Sequence, residues 1–405
     1  MKFLKGVFAK QSRKFAAILA ALGIVFVPIT ASALTAGDVG PWTSTSNLDT
    51  ASTTTDAVAY NGYLYNVGGR DSSLNALDIV QYAPLSSNGS VGTWITSPNT
   101  LPSGQWRSSI VENNGYLYSL GGINGGGQIA SVYYAPINSN GSVGTWTSTT
   151  PLPQATQSAG ATVYGNHIFI FGGGQSGGNV NTVISAPINS NGSVGTWTST
   201  TPLPQAERRQ KAIEYNGYAY VMGGLTSSTS TSIFSAKLNN NGTVGTWTTL
   251  PVTLPASTID FSISENNGYA YLIGGHDGSN YLSSIYFAPL AAGGALGAWT
   301  QSSNSLPVGE EGIGSAVYNN VLYVIGGNNT NNALANVYYA SLMVASNSGA
   351  ANAQTTTGSS GVGSPDTGYG MPGNGKLTAM VILCSITITG TGVSLLYRSK
   401  YITRM

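Results

Sequence analysis

The stretch "APINSNGSVGTWTSTTPLPQA" occupies Ala135 to Ala155, and the same twenty-one residues recur, letter for letter, from Ala186 to Ala206. A copy 51 positions away is a structural unit repeated along the chain, and a period of that size belongs to solenoids, propellers or arrays. Working outward from it, Gly-Gly pairs beginning at Gly68, Gly121, Gly172, Gly223, Gly274 and Gly326 mark six copies, spaced 53, 51, 51, 51 and 52 residues apart. Each pair ends an alternating run such as "YLYNVGG" (63–69) or "VLYVIGG" (321–327), which reads as a β-strand. Asn-Gly turns at Asn61, Asn114, Asn216 and Asn267 precede four of these runs and predict type I′ hairpins to a preceding strand.

After each Gly-Gly pair comes a polar loop, then a third strand such as "IVQYAPL" (79–85), then a Ser/Asn/Gly turn and a fourth strand that most often opens "VGTW". Four short strands per repeat make one propeller blade. A solenoid of stacked hairpins is the rival, but it needs capping units at its ends. The chain ends decide between them. Gly-x-Trp strands occur at Trp42, Trp94, Trp146, Trp197, Trp247 and Trp299; the first precedes every complete repeat, and the last repeat has none after it. The first strand therefore completes the last blade. The expectation is an all-β, six-bladed β-propeller over residues 34–345, closed by its N-terminal strand.

A strand ending in Gly-Gly, then a Tyr strand, then a Trp strand at about fifty residues resembles the kelch repeat. The resemblance covers roughly Gly40 to Met343, and it departs in the "YYAPINSNGSVGTW" section, which is longer than the usual Tyr-to-Trp spacing. The glycines end strands where a Cβ would intrude, and the tryptophans are expected as wedges between blades.

The two ends read differently. Residues 1–14 carry Lys2, Lys5, Lys10, Arg13 and Lys14 and no acid, followed by an apolar run to Val27 and a small-residue site at Ala31-Ser32-Ala33. This is the layout of a signal peptide (1–33) cleaved after Ala33. Residues 346–375 form a Gly/Ser/Thr-rich stalk. Within 376–405, the 21 residues Leu377–Tyr397 carry no charge, and Arg398, Lys400 and Arg404 follow, which predicts a transmembrane helix with a basic cytoplasmic tail. Upstream, Ser364-Pro365-Asp366-Thr367-Gly368 with that helix and tail resembles the cell-wall sorting signal of Gram-positive-type surface proteins. The resemblance implies sortase as a processing partner, cutting after Thr367. Ser364 stands where the family has Leu. A plain membrane anchor is the alternative, and both readings place the propeller outside the cell at its surface.

The one cysteine, Cys384, lies in the apolar C-terminal run, so no disulfide is expected in the exterior. Between Leu34 and Thr367, six basic residues face all fourteen acids, a net charge of −8. That argues against nucleic acid as a partner. With strands lettered a to d from the axis outward, the b–c loops and d–a steps share one face of the ring. That face collects the charge: Arg70, Asp71, His276 and Asp277 in b–c loops, and Arg107, Glu207, Arg208, Arg209, Asp260, Glu310 and Glu311 in d–a steps. Trp106 is the seventh tryptophan and stands outside the Gly-x-Trp pattern. A scaffold that copies itself except at one rim reads as a binding surface. These twelve residues are the candidate ligand site, for a glycan or a protein on a cell surface, with Trp106 either stacking on the ligand or buried between blades. No catalytic residue, metal or cofactor is assigned. The alternative is a glycosidase or sialidase-like enzyme using the acids and arginines of the same face. However, "SNGSVGTW" lacks the Asp of the sialidase Asp-box.

Overall fold

The computed structural model describes residues 35–330, 332–344, 381–389 and 392–400. The signal-peptide segment with Ala33, the stalk and the Ser364–Gly368 motif lie outside them. The chain divides into two units, Met1–Asn347 and Ser348–Met405.

The first unit is a ring of six antiparallel sheets, and the described residues contain no helix. Blade 1 is typical: strand a is Asp56–Tyr60, b is Tyr63–Val67, c is Val80–Pro84 and d is Ile95–Thr96, hydrogen-bonded in that order. The a strands of blades 2 to 6 begin at Ser109, Gly160, Lys211, Ser262 and Gly314. Blade 6 takes its outer strand from the other end of the chain: Thr43–Ser44 pairs with Val337–Ser341, with Thr43 opposite Tyr339. The expected closure is present. It extends inward through a bridge between Val39 and Leu342 and a hydrogen bond from the Ser302 hydroxyl to Asp38.

All six a–b turns have two central residues with positive φ, the type I′ signature. Four use the expected Asn-Gly; blade 3 uses Gly165-Asn166 and blade 6 uses Asn319-Asn320. In three blades a glutamate staples the turn. Glu112, Glu214 and Glu265 accept the N–H of Gly115, Gly217 and Gly268 at 2.9, 2.7 and 3.0 Å, which explains why an acid recurs at that position. The Gly-Gly pairs also have positive φ throughout. A Cβ on Gly121 would lie 2.3 Å from the Thr156 carbonyl oxygen, because the neighbouring blade's d–a step packs directly against the backbone there.

Apolar packing occurs between blades. Six clusters occupy the six interfaces, each built from facing surfaces of two neighbours. The tryptophans wedge there as expected. Their indole N–H groups also pin the previous blade's exit: Trp94 donates to the Ser46 carbonyl, Trp197 to Thr150, Trp247 to Thr201 and Trp42 to Asn304. The repeated "NSNGS" turns hold themselves, with Asn140 Oδ1 accepting from both the N–H and the hydroxyl of Ser142.

In the second unit, Val381–Thr389 and Gly392–Lys400 form an antiparallel hairpin where the sequence predicts a helix. Its β-branched residues, among them Val381, Ile382, Ile386, Thr387 and Ile388, suit strand geometry better than their hydropathy suggests. No helix among the described residues is long and apolar enough to cross a membrane.

Candidate ligand site at the channel mouth

Each d–a step enters its blade through one residue in the left-handed conformation, two positions before strand a. These are Thr54, Arg107, Ser158, Arg209, Asp260 and Gly312, with φ between 51° and 61°. Their backbones join head to tail around the central channel. The N–H of Arg107 donates to the Thr54 carbonyl at 3.2 Å, Ser158 to Arg107 at 2.9 Å and Arg209 to Ser158 at 2.8 Å; Gly312 donates to Asp260 at 2.6 Å and Thr54 to Gly312 at 2.7 Å. The remaining step is bridged by side chains, Arg209 Nη1 to Asp260 Oδ2 at 3.0 Å. Left-handed geometry at a non-glycine residue costs on the order of 1 kcal/mol, and the ring of hydrogen bonds offsets it.

This ring sets the side chains over the mouth. Asp260 also accepts from Arg107 Nη2 at 3.5 Å, so one carboxylate holds two guanidinium groups from different blades. Below them Lys211 of blade 4 reaches across the channel to Asp56 of blade 1, Nζ to Oδ1 2.5 Å, and floors the cup. The cavity above is about 50 Å³, enough for a few waters or one carboxylate group and too small for a sugar ring. Arg70 and Arg107 both stack over the Trp106 ring, with guanidinium carbons 4.6 and 4.8 Å from the ring centre, two cation–π contacts. Trp106 is therefore a half-buried part of the mouth, not an interior wedge. Burial pushes the Arg107 guanidinium down to about 10; Asp260 opposes the shift, whereas Arg209, Arg70 and Arg208 add to it. Three cations (Arg107, Arg209, Lys211) and two carboxylates (Asp56, Asp260) line the cavity, and Arg70 and Arg208 lie close enough to act on Arg107.

The other candidates are placed as follows. Arg208 pairs through its backbone with Leu225, and Glu311 accepts from Asn328 Nδ2 at 3.1 Å. Asp71 and Asp277 cap their own b–c loops, accepting from Ser73 and Asn75 and from Ser279 and Asn280. The His276 ring accepts the Gly278 N–H and packs edge-on to Tyr281. Glu207 and Glu310 leave the candidate site: both are fully buried, the Glu310 carboxyl has no hydrogen-bond partner, and Glu207 has only the Ser230 hydroxyl near it. They sit one residue too early in the d–a step, beneath the Gly-Gly pair of the previous blade, whose Gly173 and Gly275 bond to their carbonyls. Asp56 and Lys211 were legible as charges, and a six-bladed ring sets blades 1 and 4 opposite each other, but nothing in the sequence marks these two side chains as partners across the channel. Leu74 was not singled out either. It is 64% exposed, has φ 66° and rides on the loop that Asp71 caps. Among the described residues, no group of three or more His, Cys, Asp or Glu side chains is placed to hold a metal ion.

No family model matches the chain. Kelch-like protein 35 of Mus musculus is 30% identical over 139 residues, 34% of this chain and 22% of the relative. Kelch-like protein 35 of Homo sapiens is 35% identical over 91 residues, 22% of this chain and 14% of the relative. The chain thus spans less than a quarter of the length of the curated relatives it matches. The matched stretches are shorter than three repeats, and the ring of six Gly-Gly blades supplies what they leave uncovered. Together the relatives and the ring support a kelch-repeat propeller.

Proposed function

We propose that this chain is a surface-displayed binding module whose channel mouth receives an acidic side chain of a protein partner. The observation that carries the reading is the convergence of Arg107 and Arg209 on Asp260 over a carboxylate-sized cavity. Each guanidinium has five N–H donors and Asp260 engages one from each, so further donors remain for an incoming carboxylate, which guanidinium groups bind in bidentate fashion. Trp106, stacked against Arg107, adds apolar contact beside a polar centre, the usual composition of an interface anchor. Kelch propellers generally bind protein partners, which favours a protein over a glycan at this mouth.

Display at the cell surface rests on the sequence of the two ends: a cleaved leader to Ala33, and either sortase processing at Thr367 or a membrane anchor. An open two-stranded hairpin leaves edge backbone groups unpaired in lipid, so anchoring requires Leu377–Tyr397 to become helical in a bilayer. The glycosidase reading has lost Glu207 and Glu310 to the interior, and Asp260 is committed to two arginines.

The test measures binding of the full chain to partner-cell surface proteins and to Glu-bearing peptides with Gln-bearing controls. Arg107→Ser with Arg209→Ser copies Ser158, the residue blade 3 carries at the same ring position. It should weaken binding about tenfold or more, and binding of the unmodified chain should decline with salt. Equal binding by the variant, or preference for the Gln peptides, refutes the proposal.

A further inference from the structure

The scaffold departs from its own repeat in blade 3. On strand c, the residue opposite the one two places before the Gly-Gly pair is Tyr133 in blade 2, Phe234 in blade 4, Tyr286 in blade 5 and Tyr338 in blade 6, paired across to Ser119, Val221, Leu272 and Val324. Three of these rings pack in the interfaces between blades: Tyr133 lies in the cluster with Leu101, Phe234 in the one with Leu203, and Tyr286 packs against the one with Leu254. Blade 1 has Gln81, whose amide closes the gap by bonding both the N–H and the carbonyl of Thr50. Blade 3 has Ile184 opposite Ile170, and the space is left open. A cavity of about 400 Å³ lies there, between blade 3 and the exit of blade 2, within the size range of small-molecule sites.

Its chemistry is unlike that of the channel mouth. Ile170, Ile184 and Val180 give it an apolar side, Gln175, Asn179, Asn181, Thr182 and Ser199 a polar one, and none of the lining residues is charged. The amide nitrogens are engaged by the scaffold: Gln175 Nε2 donates to Thr156 Oγ1 at 3.1 Å, Asn179 Nδ2 to the Leu225 carbonyl at 2.7 Å and Asn181 Nδ2 to the Leu203 carbonyl at 3.0 Å. The amide oxygens remain as acceptors, Gln175 and Asn181 each keep a second N–H, Gln154 in the lining brings a further amide, and the hydroxyls of Thr182 and Ser199 can donate or accept. A neutral set that offers both donors and acceptors suits an uncharged ligand rich in hydroxyl groups.

We propose that this cavity binds one residue of a neutral saccharide, its ring hydroxyls donating to Gln175, Asn179 and Asn181 and its apolar face resting on Ile170 and Ile184. The site is separate from the channel mouth and does not rest on the function proposed for it. The probes are glucose, galactose, mannose and N-acetylglucosamine, with glucuronate as the charged control, observed on the full chain by saturation-transfer NMR and titration calorimetry. At least one neutral sugar should bind at millimolar concentration. Ile184→Tyr restores the ring that three other blades carry as tyrosine, so it should preserve the melting temperature and weaken that sugar about tenfold or more. Thr182→Tyr, a change at an exposed position lining the cavity, should do the same by a different route. Arg107→Ser with Arg209→Ser should leave sugar binding intact. The proposal is overturned if no neutral sugar binds, if glucuronate alone binds, or if both blocking variants retain full affinity.

Discussion

Glu207 and Glu310 make stability fall as pH rises through neutrality. Both side chains are fully buried; the Glu310 carboxyl has no partner, and Glu207 has only the Ser230 hydroxyl near it. Burial, offset in part at Glu207 by the nearby Ser230 hydroxyl, pushes each up to about 8 from an ordinary 4.5. The folded state therefore keeps both protons through a range in which the unfolded chain has released them. Stability is greatest below about pH 4.5, declines between there and pH 8, and levels above it. At about 1.4 kcal/mol per unit, three units from pH 5 to 8 amount to at most about 4 kcal/mol per residue. For a ring of six blades this corresponds to a melting temperature lower by roughly 5–15 °C. Blade 2 supplies the control: Gln105 occupies the equivalent buried position and donates to the Ser119 hydroxyl, so the scaffold accepts an uncharged amide there. Glu207→Gln with Glu310→Gln should raise the melting temperature at pH 8, change it little at pH 5 and flatten the profile between, followed by calorimetry or circular dichroism. A melting temperature that rises from pH 5 to 8 in the unmodified protein, or a double variant with the same slope, refutes the reasoning.

Two further outcomes test the ring itself. Removing residues 40–49 deletes the outer strand of blade 6 and exposes an edge. It also withdraws Leu48 and Trp42 from the interfaces, at about 2 kcal/mol each, so thermal unfolding should move markedly lower; a truncated chain as stable as the parent would count against closure. Gly121→Ala should destabilise by several kcal/mol, since its Cβ would lie 2.3 Å from the Thr156 carbonyl oxygen, whereas Gly125→Ala, with open space around it, should be nearly neutral in the same unfolding assay.

What the sequence by itself determined is the scaffold. Repeat period, Gly-Gly pairs, Asn-Gly turns and the displaced Trp42 strand are local signals, each tied to one backbone geometry. Six blades, type I′ turns and the closure by Thr43–Ser44 follow from them. The sequence also identified the charged rim, because the charges stand out against a copied background. It did not sort that rim. Glu310 and Glu311 are neighbours in the chain, yet one is fully buried beneath a glycine pair and the other is half-buried and bonded to Asn328, since successive residues of an extended step face opposite ways. The pairing of Lys211 with Asp56, 155 positions earlier, exists only because a six-membered ring puts blades 1 and 4 face to face. Asp260 between two arginines has the same origin. The cavity beside Ile184 of blade 3 has meaning only against the four rings and the Gln81 amide that stand at the same position in the other blades. The C-terminal segment shows the converse limit: hydropathy suggests a membrane helix, while its β-branched residues favour the paired strands that the described residues adopt. Composition along a chain sets which elements form, but which side chains meet is decided by the closure that brings distant blades around one axis.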